Sequence, residues 1–219
     1  GVATDSLDAE GAVLERAPMP VSEDEVTATM KRFVGTIHQV PPMMSARKIE
    51  GRRLYEIARR GVEVEREARP VTISELELTD FAPSDYPEVG FRVVCSSGTY
   101  VRTLADDIAA ALGGRAHLIE LRRTRNGSVT IDQAVTMEEI EAADDVAALA
   151  LAPRVLLDEM PVVEVDDELA AAVRNGVVIP AGLGPPGQEG VFQVVDAEGR
   201  LLAVYGSDGR TMRPEVVLS

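Results

Sequence analysis

Apolar side chains recur every three or four residues in several stretches of the chain, the spacing that places them on one face of an α-helix. The first stretch follows Ser22, a favoured helix N-cap, and has acidic residues in its first turn. Another ends at Gly113, a residue type common at helix C-termini. The pattern predicts helices over Val21–Val34, Leu54–Arg60, Thr103–Leu112 and Asp167–Arg174, and an acidic surface helix over Met137–Leu151.

Other stretches are rich in β-branched residues. Val71–Leu78 and Val89–Cys95 predict two strands, and the proline-containing loop between them favours an antiparallel pair. Near the C-terminus, Val191–Val195 and Leu201–Tyr205 flank a short polar segment that ends in Gly199, which is typical of a β-hairpin.

These elements together predict an α+β fold, with a mixed, mainly antiparallel sheet flanked by helices and a small β-rich domain behind it. The segment Pro153–Pro161 is the predicted boundary. We therefore expect a larger domain over residues 1–152 and a small C-terminal domain over residues 160–219.

The composition narrows the class of protein. The chain has 219 residues, 45% of them hydrophobic, which is enough to bury a sizeable core. No run approaches the roughly 20 apolar residues that a membrane-spanning helix needs, so we expect a cytoplasmic protein with no membrane partner. A single cysteine, Cys95, excludes an internal disulfide, and two histidines make a structural zinc site improbable. We expect no metal.

The net charge of −15 argues at first against a nucleic-acid partner. The acid is concentrated in the tail, however: residues 132–219 hold 17 acidic and 5 basic side chains, whereas residues 1–131 hold 20 and 17. Residues 47–69 alone contain eight basic side chains against five glutamates. Local basic surface on an acidic body favours a specific RNA contact, and a solvated charged face is the alternative for this segment.

A polar, glycine-containing turn joins the strand that ends at Cys95 to the helix that begins near Thr103. Active-site groups often lie at such junctions. Arg102 falls in the first turn of the helix, where the helix dipole disfavours a cation, so we expect it to have an anionic partner. From spacing alone, an arginine in a structural surface ion pair is the commoner explanation.

Five motifs follow one another in order. They are Thr4–Gly11 (Thr-Asp-Ser-Leu-Asp-Ala-Glu-Gly), Gln39–Lys48 (Gln-Val-Pro-Pro-Met-Met-Ser-Ala-Arg-Lys), Cys95–Asp107 (Cys-Ser-Ser-Gly-Thr-Tyr-Val-Arg-Thr-Leu-Ala-Asp-Asp), Leu112–Leu118 (Leu-Gly-Gly-Arg-Ala-His-Leu) and Leu121–Gly127 (Leu-Arg-Arg-Thr-Arg-Asn-Gly). In order and spacing they resemble the B-family tRNA pseudouridine synthases. The resemblance is continuous from residue 1 to about residue 140.

The resemblance implies isomerisation of uridine 55 in the tRNA T-loop to pseudouridine. Such an enzyme flips the uridine out, breaks its N-glycosidic bond, turns the base and rejoins it through C5, a redox-neutral reaction that needs no cofactor. By motif position, Arg102 is the arginine that pairs with the catalytic aspartate, Tyr100 the tyrosine that stacks near the base and Leu121 the leucine that packs against the ring. Ordinary packing roles are the alternatives for Tyr100 and Leu121.

The resemblance places the catalytic aspartate in a Gly-x-Leu-Asp-Pro-like segment upstream of the Thr4 motif, a segment that this chain does not contain. We therefore expect an N-terminally truncated synthase in which Arg102 lacks its partner, and which is inactive and marginally stable alone. Asp106 and Asp107 are expected to contribute helix-face polarity or structural pairing and not to serve as replacement acids.

The resemblance also implies a partner, the T-arm of tRNA, bound by a monomer. An RNA-gripping insertion is expected at about residues 41–70, with Met44 where many relatives have tyrosine, and the C-terminal domain resembles the small PUA-like domain of these synthases. The expected RNA-binding residues are Arg47, Lys48, Arg52, Arg53, Arg59, Arg69, His117, Arg122 and Arg123. Bracing of the loop is the alternative for Lys48.

Two other functions compete with this one. The same surfaces could hold or fold tRNA without chemistry, as a non-catalytic RNA-binding module. A cysteine hydrolase built on Cys95, His117 and Asp106 is the weaker alternative, because a cysteine at the end of an apolar strand is more often a buried packing residue.

Overall fold

The structure is a computed structural model of the chain that describes residues 1–43, 48–49, 52–53, 64–183 and 189–218. It divides into two compact units, Gly1–Leu121 and Arg122–Ser219. Among the described helices, none is both long and apolar enough to cross a bilayer. The domain boundary at residues 152–160 stays a prediction, and the predicted helix Leu54–Arg60 lies outside the described residues.

The first unit is built on a three-stranded antiparallel sheet with the order β3-β6-β7. Two further antiparallel pairs, β1 with β2 and β4 with β5, lie outside that sheet. The elements are β1 (Val2–Thr4), β2 (Val13–Arg16), α1 (Glu23–Met30), β3 (Gly35–Gln39), β4 (Lys48–Ile49), β5 (Arg52–Arg53), β6 (Arg69–Ala82), β7 (Glu88–Cys95) and α2 (Val101–Ala111).

The predicted pairing of the two central strands is confirmed, although β6 extends at both ends beyond the predicted Val71–Leu78. Its side chains alternate between faces, with Val71 and Ile73 buried and Thr72 exposed between them. A register shift between Ile73 and Glu75 moves this alternation by one residue, so Leu76 also packs towards the core.

Helices α1 and α2 pack against this sheet in one hydrophobic core. Val26 and Met30 of α1 meet Ile73 of β6 and Leu104 and Ile108 of α2 there, all at least nine-tenths buried. The stripes that predicted the two helices are therefore the faces that hold α1 and α2 on the sheet.

Ser22 is confirmed as the N-cap of α1. Its hydroxyl accepts a bond from the Glu25 N–H at 3.3 Å, and the Glu25 carboxylate accepts one from the Ser22 N–H at 2.8 Å. The helix is shorter than predicted, because a single 3-10 turn follows Met30 and Gly35 opens β3 at a φ of +105°. Pairing of Gly35 with Ile73 overrides the helical spacing at this point.

The second unit is built on a five-stranded sheet with the order β10-β12-β13-β14-β11, in which β10 and β12 are parallel and the other pairs antiparallel. Its elements are β8 (Arg125–Asn126), β9 (Val129–Thr130), α3 (Met137–Ala142), β10 (Val162–Glu164), α4 (Asp167–Arg174), β11 (Ile179–Pro180), β12 (Gly190–Val195), β13 (Leu201–Ser207) and β14 (Thr211–Val217). The predicted hairpin and the helix Asp167–Arg174 are confirmed.

The hydrophobic cluster on this sheet includes a buried phenol. Phe192 and Tyr205 are fully buried against Val173 of α4. The Tyr205 hydroxyl donates to the Val177 carbonyl at 2.9 Å, and burial raises the pKa of Tyr205.

The segment before β10 is fastened to the same sheet. Gln193 of β12 is 1% exposed, and its side-chain amide donates to the carbonyls of Leu157 and Met160 at 2.5 and 2.9 Å. Arg154 adds a bond to the Gly199 carbonyl at 3.0 Å. The proline-bounded segment that we predicted as a boundary is therefore attached to the C-terminal sheet.

The predicted helix over Met137–Leu151 is wrong in length. The helix α3 ends at Ala142, and a separate 3-10 turn covers Val146–Leu149. The Asp145 carboxylate accepts a bond from the Ala147 N–H at 3.0 Å and starts that turn, which interrupts the longer helix.

Candidate active site

The turn that links β1 to β2 owes its shape to the polar residues of the first motif. Asp5 accepts a bond from the Ala12 N–H at 2.9 Å, Thr4 donates to the Asp8 carbonyl at 2.7 Å, and Ser6 donates to the Asp8 carboxylate at 2.6 Å. A Cβ at Gly11 would collide with the Ser6 hydroxyl and the Asp5 carboxylate. The spacing of the motif therefore holds the Asp8 carboxylate in one position.

Arg102 reaches this turn from the first turn of α2. Its Nη1 donates to the Asp8 carboxylate at 2.6 Å and to the Ser6 carbonyl at 3.3 Å, and both charged side chains are 30% exposed. The predicted anionic partner is present, but the expectation that Arg102 lacks a partner within the chain is wrong. The partner is 94 residues away in sequence, so helix spacing gives no sign of it.

The same contacts fix the charge state of the turn. The hydrogen bond from Ser6, together with those from Arg102 and the Glu10 N–H, holds the pKa of Asp8 below its usual value. The carboxylate is therefore ionised at neutral pH and keeps the guanidinium oriented beside it.

Tyr100 is the residue that precedes α2, and its side chain is half-buried. Its main chain is held by Gln39, whose amide accepts from the Tyr100 N–H at 3.0 Å and donates to the Tyr100 carbonyl at 3.3 Å. A cavity of about 120 Å³ opens beside these two residues, with Arg69 also in its lining. Tyr100 therefore lies where α2 begins, two residues before Arg102, and its main chain is held by the residue that ends β3.

His117 lies on the other side of the Asp8 turn. Its Nδ1 is 3.0 Å from the Val2 carbonyl, and the neighbouring Leu118 N–H donates to the Leu7 carbonyl at 3.0 Å. His117 is half-buried. In the structure it braces the strand that leads into the turn, and its predicted RNA contact stays a prediction.

Leu121 ends the first unit with 65% of its surface exposed, so the alternative that it is an ordinary core residue is wrong. An exposed leucine is compatible with the predicted contact to a flipped base. Arg122 and Arg123 are also exposed and belong to the second unit.

Asp106 makes the structural pairing that was one of the two roles expected for Asp106 and Asp107. Asp106 accepts two bonds from Arg115, both at 2.8 Å, and a third from the Ala116 N–H at 3.1 Å. Burial, with the neighbouring Asp106 charge, raises the pKa of Asp107. Because Asp106 is engaged by Arg115 and His117 by Val2, the described hydrogen bonds do not join Cys95, His117 and Asp106 into a hydrolase triad.

The structure describes the predicted RNA-binding residues of the insertion only in part. Arg47, Arg59 and Met44 lie outside the described residues. The backbone of Lys48, Arg52 and Arg53 forms the β4–β5 pair. Arg69 is exposed at the start of β6, and the RNA contact of all these residues stays a prediction.

Models of known families match the whole chain in three consecutive parts. Residues 1–101 match the TruB family pseudouridylate synthase N-terminal domain, residues 102–160 the tRNA pseudouridylate synthase B C-terminal domain, and residues 160–219 the C-terminal part of tRNA pseudouridine synthase II. The chain is 46% identical to the tRNA pseudouridine synthase B of Ralstonia nicotianae over 98% of its own length and 70% of that protein.

The chain belongs to the TruB family of pseudouridine synthases. Similar curated TruB relatives include the tRNA pseudouridine synthase B of Aromatoleum aromaticum, which is 42% identical over 100% of this chain and 70% of that protein. The resemblance seen in the motifs is thereby confirmed.

Solved structures show the same fold at low identity. One is a Cbf5-Nop10-Gar1 complex, 22% identical with a TM-score of 0.69, covering 92% of this chain and 64% of that chain. Another is an H/ACA RNP bound to a substrate RNA containing 2′-deoxyuridine, also 22% identical, with a TM-score of 0.66 and coverage of 93% and 63%. The chain thus covers less than two thirds of each matched chain. The predicted α+β fold with a PUA-like C-terminal domain is confirmed.

Proposed function

We propose that this chain is the part of a tRNA pseudouridine synthase that positions uridine 55 of the T-loop, and that the enzyme acts as a cytoplasmic monomer on the T-arm. The observation that carries the proposal is the Arg102–Asp8 ion pair, whose arginine follows the half-buried Tyr100 by two residues, in a TruB-family chain. The named relatives are tRNA pseudouridine synthases, which supports tRNA as the substrate.

The chemistry assigns a distinct task to each residue. The catalytic aspartate of an upstream Leu-Asp-Pro segment acts on the sugar, the C1′–N1 bond breaks, and the same uracil rejoins C1′ through C5. The C5 proton leaves and N1 takes up a proton. Arg102, already oriented by Asp8, pairs with the incoming aspartate and keeps it ionised. Tyr100 stacks near the base and Leu121 packs against it.

Two surfaces would hold the RNA. The insertion at about residues 41–70 supplies cations for the phosphates, and at its base Arg66 donates to the Pro41 carbonyl at 3.1 Å. Exposed Arg69 and the pair Arg122 and Arg123 add positive charge. We propose that these contacts, and not the acidic C-terminal residues, supply most of the phosphate binding.

Release of tritium from C5-labelled uridine in a T-arm RNA tests the proposal. The chain alone is expected to release none, whereas the chain extended upstream by a segment with the Leu-Asp-Pro motif is expected to release tritium. Release by the chain alone would contradict the assignment of the catalytic aspartate to an upstream segment. No release from either version, with T-arm binding retained, would favour a non-catalytic RNA-binding module.

Arg102→Lys in the extended chain separates the site from general charge effects. Lysine keeps the charge but loses the planar, multiply bonding guanidinium, so we expect tritium release to fall by about 100-fold or more. The matched control is Arg92→Lys, because Arg92 pairs with Glu75 on the open surface of the same unit. Equal losses in the two variants would overturn the role of Arg102.

A further inference from the structure

Gln39 is an amide buried where an apolar side chain would be expected. It ends β3 with 2% of its surface exposed, and its side chain lies against the main chain of Tyr100, 61 residues further on. Both ends of the amide are used, the oxygen by the Tyr100 N–H and the nitrogen by the Tyr100 carbonyl. A side chain of this length that can both accept and donate is needed to make this pair of bonds.

The held residue is the one that sets the start of α2. The Tyr100 carbonyl also accepts the first helical bond, from the Leu104 N–H at 3.0 Å, and no side chain caps the helix there. Gly98, at a φ of +81°, precedes it in the exposed turn that leaves β7. The position of the Tyr100 ring and of Arg102 two residues later therefore depends on how the Tyr100 main chain is held.

The same glutamine lies at the base of the proposed RNA-gripping insertion. Gln39 pairs with Arg69 in the β3–β6 ladder, so the insertion leaves the sheet at Gln39 and returns to it at Arg69. Arg66 closes the base through the Pro41 carbonyl at 3.1 Å. Gln39 therefore links one end of the insertion base to the Tyr100 main chain.

We propose that Gln39 is a positioning residue that couples the base of the RNA-gripping insertion to the active-site residues Tyr100 and Arg102. The inference rests on the proposed function. It predicts that the amide of Gln39 affects the chemical step more than the affinity for RNA, because it holds the reacting geometry and has little surface of its own for RNA to touch.

Gln39→Glu in the extended, active chain tests the proposal through the pH dependence of kcat, which a purely packing role of Gln39 would leave unchanged. The ionised carboxyl still accepts from the Tyr100 N–H but has no proton for the Tyr100 carbonyl, so kcat is expected to fall about tenfold at about pH 8. Burial raises the pKa of the introduced carboxyl, and its neutral form donates again. The ratio of variant to parent activity is therefore expected to rise as the pH falls towards about 5.5.

Two further variants complete the test. Gln39→Met, of similar shape, is expected to lose kcat by about tenfold or more at every pH with KM for the T-arm changed less than about twofold. The matched control is Gln193→Glu, because Gln193 is an equally buried glutamine of the C-terminal sheet. It is expected to lower stability and leave the pH profile unchanged. A Gln39→Glu profile parallel to that of the parent would overturn the proposal.

Amide exchange of Tyr100 separates failure of this proposal from failure of the proposed function. In the chain as it stands, without RNA or activity, the Tyr100 N–H is expected to exchange faster in Gln39→Met than in the parent, while the Leu104 N–H changes less. Equal protection of the Tyr100 N–H in both would show that the Gln39 amide does not hold the Tyr100 main chain. If exchange shows that Gln39 holds the Tyr100 main chain but no version releases tritium, the proposed function is wrong, and the positioning role, which rests on it, is wrong too.

Discussion

Asp8 shows how one side chain can organise a site from a distance in sequence. It lies in a turn made by Thr4, Asp5, Ser6 and Gly11, and it orients an arginine of α2. Asp8 therefore belongs to the site even if it never touches the substrate.

Asp8→Asn is expected to lower the free energy of unfolding by about 1 kcal/mol, because it removes one charge from a pair that is partly shielded from water. Urea denaturation measures the change. Glu75→Gln is the control, since the Glu75–Arg92 pair is more than half exposed on both sides and should contribute less than about 0.5 kcal/mol. Similar losses in the two variants would show that Asp8 is only a surface ion pair.

The stability difference between the parent and Asp8→Asn should also depend on pH. The pKa of Asp8 is lowered in the folded chain, so its stabilisation is fully present above the ordinary aspartate value of 3.8 and is lost as the pH falls through the lower folded value. Repeating the urea titrations at several pH values checks this. A difference that grows below pH 3.8 would have the wrong sign.

For single residues, the sequence predicted the type of interacting group better than the identity of the partner residue. An anion next to Arg102 follows from the helix dipole, but its identity as Asp8 depends on a contact across 94 residues. Gln39 was part of a recognised motif and received no role, since a glutamine before two prolines gives no sign of a bond to Tyr100.

Elements with recognisable start and stop residues in the sequence were predicted well. The helix α4 begins and ends where expected, because Asp166 caps its start and Asn175-Gly176 follows its end. Where tertiary pairing competes with local spacing, the prediction was wrong: Gly35 entered β3 instead of closing α1, and Asp145 began a new turn within the expected acidic helix.

The capping box of α1 gives a test at the scale of an element. Ser22→Ala removes both the hydroxyl acceptor and the anchor for Glu25, so we expect a loss of about 1 kcal/mol in the free energy of unfolding. Ser22→Gly should cost only a few tenths of a kcal/mol. Urea denaturation followed by circular dichroism measures both, and an unchanged free energy of unfolding in Ser22→Ala would mean that the box contributes nothing.

At the scale of the whole molecule, the two units differ in charge and in what the sequence reveals. The tail beyond residue 131 carries most of the net negative charge, which the composition shows directly. The attachment of residues 153–160 to the five-stranded sheet is a tertiary property, because it depends on Gln193 reaching two carbonyls more than 30 residues earlier.

That attachment predicts where a stable C-terminal fragment begins. A fragment starting at Pro153 is expected to be more stable than one starting at Val162 by about 1–2 kcal/mol, because the shorter one leaves the Gln193 amide without its acceptors. Thermal and urea denaturation measure the two. Gln193→Leu should stabilise the shorter fragment and destabilise the longer one, and the same sign in both would contradict the argument.

The buried phenol of Tyr205 has a consequence for spectroscopy. The chain has four tyrosines and no tryptophan, so its near-ultraviolet absorbance comes mainly from phenol rings. Tyr205 is fully buried with its hydroxyl bonded to Val177, and burial raises its pKa, so we expect it to ionise after the sheet opens to water. After a jump to alkaline pH, the slow phase of phenolate absorbance therefore reports the opening rate of the C-terminal sheet, with no label attached to the protein.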